Sequence, residues 1–63
     1  MKVYVIESYH RAEGSELIGV FKTQPANAQA HKIARERSTY EELEWDAWCQ
    51  AFVTEHEVEK VPE

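Results

Sequence analysis

Three histidines, a lone cysteine and a crowd of carboxylates are the side chains here that could do chemistry. His10, His31, Cys49 and His56 are the soft metal ligands, but no Cys-x-x-Cys or His-x-x-x-His pairing joins any two of them. The spacing therefore asks for no metal site. His31, between Ala30 and Lys32, reads as a helix-surface residue, and His56 as a partly buried histidine bonded locally. Cys49 and a histidine would make a thiol–imidazole pair only if the thiolate were stabilised. Its neighbours are acidic, which raises a thiol pKa, so Cys49 reads as a small buried hydrophobe. Ser8, Ser15 and Ser38 stand in no nucleophile-elbow context. Glu41, Glu42, Glu44 and Asp46 could act as paired carboxylates, but acid–base pairs need a cleft to separate their pKa values. A solvated helix face is the plainer reading. There is no Asp-x-Asp-x-Asp-Gly calcium loop, and no phosphate-loop lysine follows either glycine. No catalytic residue, metal ligand or cofactor site is expected, and the chain reads as no enzyme.

The totals narrow the rest. Sixty-three residues make one domain, spanning 1–63. Its stability alone is expected to be only about 3–5 kcal/mol, the usual range for so small a core. One cysteine excludes an internal disulfide. Neither a signal peptide nor a membrane-length apolar run is visible, so a cytoplasmic protein is expected. The net charge of −5 is unevenly spread. Six of the seven cations fall within residues 1–40 and eight of the twelve carboxylates within 41–63. Such runs usually form a solvated face, and their sharper reading is a surface for a basic partner. Direct binding to nucleic acid is disfavoured, since that needs clustered Lys and Arg.

The elements that would position these groups are legible from periodicity. Lys2-Val3-Tyr4-Val5-Ile6-Glu7-Ser8-Tyr9 is β-branched and aromatic, free of Gly and Pro, and apolar on both alternating faces. That pattern belongs to the middle of a sheet. His10–Ser15 reads as a connection with Gly14 free to take positive φ. Glu16–Lys22 returns as a second strand, with Leu17 and Phe21 on one face and Ile18 and Val20 on the other. Gly19 within it suggests a bulge or a close approach. Thr23 and Pro25 fit a helix start, followed by a stripe of Ala26, Ala30, Ile33, Ala34 and Arg37. Thr39 and Glu42 fit a capping box for a second helix over about Tyr40–Cys49, with Tyr40, Leu43, Ala47, Trp48 and Ala51 at helical spacing. Trp45 falls off that stripe. Phe52–Glu59 alternates at period two and reads as a half-exposed edge strand, and Pro62 in the Lys60–Glu63 tail stops further pairing.

The predicted fold is therefore α+β: a three-stranded, mainly antiparallel sheet with one or two helices on one face, ββα(α)β. A single helical layer gives strand order 2-1-3. A full-length second helix antiparallel to the first would instead set strand three parallel to strand one, or beside strand two. Val3–Ile6, Leu17–Phe21, the alanine-rich helix and Phe52–Val58 together resemble small bacterial and phage proteins built on a β-hairpin, helix and strand module. Ser38–Gln50 departs from that plainer module, and the resemblance implies no site residues.

The function expected is a non-catalytic protein-interaction module, a small phage or bacterial regulator or inhibitor that binds another protein of basic character. Tyr40, Trp45 and Trp48, with Glu41, Glu42, Glu44 and Asp46, are the expected partner-binding residues, because aromatics anchor interfaces. Phe52 adds a further large apolar side chain nearby. The alternative is a nucleic-acid-associated protein, or an acidic mimic of nucleic acid. Self-association as a homodimer is expected through Val3, Tyr4, Val5, Ile6, Ile18 and Val20, since helices cover only one face of a sheet whose strands are apolar on both.

Overall fold

The computed structural model describes residues 1–58; Glu59 and the tail with Pro62 lie outside the described residues. Strand β1 (Lys2–His10) is followed by β2 (Gly14–Phe21), helix α1 (Asn27–Arg37), helix α2 (Glu42–Trp48) and strand β3 (Cys49–Glu57). The sheet has the order β2-β1-β3, with both pairings antiparallel. The doubly apolar first strand is the central one, as its composition predicts. β1 and β2 form a hairpin whose turn ends at Gly14, with φ of 91°. A side chain there would strain against the backbone, which explains the glycine.

β2 does not keep simple alternation. Ile6 pairs with Gly19 and Glu7 with Leu17, so Ile18 is an extra residue without a partner on β1. This bulge shifts the phase of the strand by one. Ile18 and Phe21 therefore both pack toward the core, while Leu17 and Val20 share the other face and are exposed. The expected pairing of Leu17 with Phe21 and of Ile18 with Val20 is corrected accordingly. Gly19 sits opposite Ile6, where a Cβ would lie 3.1 Å from the Phe21 ring and 3.6 Å from the Arg37 guanidinium. The close approach suspected at this glycine is real.

Both helices lie on one face of the sheet. Ala30 and Ala34 are buried and Ile33 partly so, which follows the predicted small-residue stripe. Small side chains let α1 lie close against β1 and β3. Neither predicted side-chain cap forms: α1 begins after Ala26 and α2 after Glu41, and neither cap residue bonds through its side chain. Thr39 spends its hydroxyl on Glu16 of β2 instead (2.8 Å), and its main-chain N–H bonds the other oxygen (3.1 Å). A tertiary partner thus outcompetes the local capping geometry. Arg35 and Arg37 do occupy the last turn of α1, where cations suit the dipole.

The largest correction concerns α2. Trp45, which falls outside the predicted stripe, is completely buried, while Leu43 within it is 83% exposed. The helix spans only Glu42–Trp48, so Tyr40 and Ala51 are not on it at all. In under two turns one side chain can point squarely at the sheet, and the bulkiest takes that place. Its indole N–H donates to the Ser8 hydroxyl at 2.8 Å. Ser8 is itself sealed, so this one bond satisfies two buried polar groups. The core is Ile6, Ala30, Ala34, Trp45 and Cys49.

On β3 the same logic reverses the faces. Cys49, Ala51 and Val53 turn inward, and Phe52, Thr54 and His56 are exposed. His56 is therefore not partly buried, although its local bond to the Thr54 hydroxyl exists at 2.9 Å.

Candidate functional site

Where the strands meet the end of α2, several polar and aromatic side chains converge. His10 is the last residue of β1 and is buried. Its ring lies between Tyr40 and Trp48, stacked at 4.6 Å and 6.0 Å between centroids. Its Nδ1 accepts the main-chain N–H of Ala12 (3.1 Å) and of Glu13 (3.2 Å), which folds the hairpin turn back over the ring. Arg11 lies over the Trp48 ring, its guanidinium 5.7 Å from the centroid. His10, Ala12, Glu13, Tyr40, Glu44 and Trp48 line a cleft of about 310 Å³. Three predicted partner-binding residues, Tyr40, Glu44 and Trp48, thus share one site. His10 and Glu13, read as parts of a plain connection, join them through the antiparallel hairpin. Their only sequence signal was proximity to Gly14.

The remaining predicted residues go elsewhere. Trp45 is sealed in the core and meets no partner. Glu42 and Asp46 face α1, where Arg35 bonds both: Nη1 to Glu42 at 2.8 Å, and Nε and Nη2 to Asp46 at 2.8 and 3.0 Å. This fork holds the Asp46 carboxyl below its usual range, chiefly through the hydrogen bonds to Arg35, and raises the guanidinium in turn. Of the four carboxylates over residues 41–46, only Glu41 and Glu44 lack a cation among the described residues.

Tyr40 shows how closely the cleft is wired. Its hydroxyl donates to Glu13, and that bond, with burial and the carboxylate charge behind it, pushes the phenol up to about 12. Because the folded chain holds this proton more tightly than the unfolded one, the contact stabilises the fold fully below pH 10. That contribution is lost as the pH rises through about 12. Glu13→Gln is expected to bring phenolate formation at Tyr40 down in pH. Absorbance titration of the folded variant against the parent checks this, and an unmoved phenolate transition would remove Glu13 from the role.

Cys49, at the junction of α2 and β3, is a free buried thiol pushed up mainly by burial and also by Glu44, Glu16 and Glu13, with the Ser8 hydroxyl acting in the opposite sense. That is the chemistry of a packing group, not of a nucleophile. His31 is exposed and meets the Trp45 ring edge-on at 4.7 Å. Among the described residues, no three of His, Cys, Asp and Glu converge as a metal site would require.

The second feature is the face of the sheet opposite the helices. Register places Val3, Val5, Glu7 and Tyr9 of β1 there, flanked by Val20 and Leu17 of β2 and by His56, Thr54 and Phe52 of β3. Leu17, Val20, Phe52 and Tyr9 are 66%, 57%, 47% and 40% exposed. Tyr9 and Phe52 meet edge-to-face at 6.1 Å. Of the residues expected to associate, Val3, Val5 and Val20 lie on this face. Tyr4, Ile6 and Ile18 lie on the other, with Ile6 sealed beneath α1, because alternation sends them to the helix side and the bulge carries Ile18 there too.

No protein-family model, characterised protein or solved structure matches this chain, so what the two features can do follows from their own geometry. Among the described residues no helix is long and apolar enough to cross a membrane.

Proposed function

We propose that this chain is a non-catalytic module that acts by binding another protein, as a small cytoplasmic regulator or inhibitor of bacterial or phage type, and that it does so as a homodimer. The observation that supports this reading is the uncovered sheet face. Six apolar side chains (Val3, Val5, Tyr9, Leu17, Val20 and Phe52) form one surface there with no element of the described chain laid over it. Contiguous apolar surfaces of that kind mark interaction sites. A second copy packing the same face by a twofold axis would supply the core that so short a chain lacks. About 800 Å² per subunit is an ordinary interface. The cleft around His10 lies on the helix side of the sheet and stays open to a further partner in such a dimer.

Sedimentation equilibrium at micromolar concentration tests the arrangement. A dimer is expected for the parent chain, and Val5→Lys with Val20→Lys is expected to yield a folded monomer. Glu7, the one carboxylate in the middle of the face, opposes association, since burying a charge without a partner is costly. Glu7→Gln should therefore tighten the dimer. A single species near 7.4 kDa at every concentration would end the dimer reading.

A further inference from the structure

His10 is 8% exposed, yet only half of its hydrogen-bonding capacity is used. Both of its bonds enter Nδ1, so the neutral ring carries its proton on Nε2. Nε2 has no partner among the described residues, and no sealed side-chain nitrogen or oxygen there is left unsatisfied. The Nε2–H group therefore meets solvent, and His10 lines the cleft beside Tyr40 and Trp48. A protonated Nε2 ligates no metal, but it is an unused hydrogen-bond donor on a residue that lines an aromatic recess.

The rim has the opposite character. Glu44 has no ion pair or side-chain hydrogen bond among the described residues. Glu13 gives one oxygen, Oε2, to the Tyr40 hydroxyl and keeps the other. An occupant must present an acceptor to Nε2–H, a cation to the rim, and a flat body to the aromatic walls. A guanidinium alone fails, because it has no acceptor. An arginine residue within a peptide meets all three demands: its carbonyl accepts from Nε2–H while its side chain forks onto Glu44 and takes the place over Trp48 that Arg11 holds in the free chain. Arg11 already lies over the face of Trp48, so this ring accommodates a guanidinium. Arginine suits the site better than lysine, since stacking and the bidentate fork both need a planar cation.

We infer that the cleft formed by His10, Glu13, Tyr40, Glu44 and Trp48 binds an arginine residue of a partner polypeptide. This rests on the reading of the chain as a protein-binding module and names the chemistry of the partner. The test is titration of the full chain with the blocked tripeptide acetyl-Gly-Arg-Gly-amide, followed by NMR. Saturable shifts are expected at the Trp48 indole and the His10 ring, and not at Phe52 or Val20. The citrulline peptide, which keeps the shape and loses the charge, should bind at least about tenfold more weakly, with the lysine peptide in between. Glu44→Gln, at an exposed position that leaves the fold intact, should weaken the arginine peptide and leave the citrulline peptide unchanged. Equal binding of arginine and citrulline peptides, shifts outside the cleft, or no saturation at millimolar peptide would each overturn the inference. Sedimentation reads the open sheet face and this titration reads the cleft, so the two ideas fail separately.

Discussion

Trp45→Ala is expected to leave most of the chain unfolded in water at room temperature. The indole is completely buried beneath α2, and it is the largest side chain in the core. Emptying such a site costs about 3–5 kcal/mol, from lost transfer energy and from a cavity that a stiff sheet cannot collapse. A single domain of this size has about that much stability in total. The substitution also strands the Ser8 hydroxyl, which the indole N–H now satisfies. Trp45→Phe separates the two contributions. It keeps most of the apolar contact and loses the bond together with the volume of one ring, so a cost of about 2–3 kcal/mol is expected, of which adding Ser8→Ala recovers the part due to the stranded hydroxyl. Urea unfolding followed by circular dichroism measures all three variants. A Trp45→Ala chain that unfolds at the parent midpoint would mean the indole is not the centre of the core.

The second large effect distinguishes two neighbouring residues on the same strand. Ile6→Ala is expected to cost about 2–5 kcal/mol, because Ile6 is fully buried between the sheet and α1. Val5→Ala, one residue away on the uncovered face, should cost about 1 kcal/mol or less when measured in dilute solution. The contrast arises from strand alternation alone, since both residues are central and both pair on either side. Thermal unfolding of the two variants at the same low concentration decides it. Equal losses would show that the Val5 face is covered as thoroughly as the Ile6 face, and a reversed order would place the helices on the wrong side.

The acidic second half of the chain changes meaning once the helices are packed. Arg35 binds Glu42 and Asp46 from the facing helix, Lys2 lies 3.5 Å from Glu55, and the N-terminal ammonium lies 3.2 Å from Glu57. These are exposed pairs, each worth little in stability. Their consequence is electrostatic: the row of charge that suggested phosphate mimicry is broken up by cations from the first half. What stays negative without a cation among the described residues is more local, and Glu44 at the cleft is part of it.

The sequence by itself determined the architecture of this protein. A doubly apolar stretch at Val3–Ile6 reads as a central strand, Gly14 marks the hairpin turn, and the alanine stripe makes one helix face small enough to lie on a sheet. Those are local properties, written in the spacing of neighbouring residues; they allowed the order β2-β1-β3 among others, and the short α2 of the folded chain selects it. Only the tertiary structure decided which of two apolar faces is covered. One extra residue at Ile18 inverts the phase of β2, and periodicity along that strand cannot reveal it because the bulge exists only relative to β1. Helix α2, at seven residues, is too short for a stripe to outvote the bulk of Trp45. The cleft was equally hidden, since His10 and Glu13 reach Tyr40, Glu44 and Trp48 only after the antiparallel pairing of His10 with Cys49 brings the end of β1 beside the start of β3. Spacing encodes the faces of each element; the choice among those faces is made by what they meet.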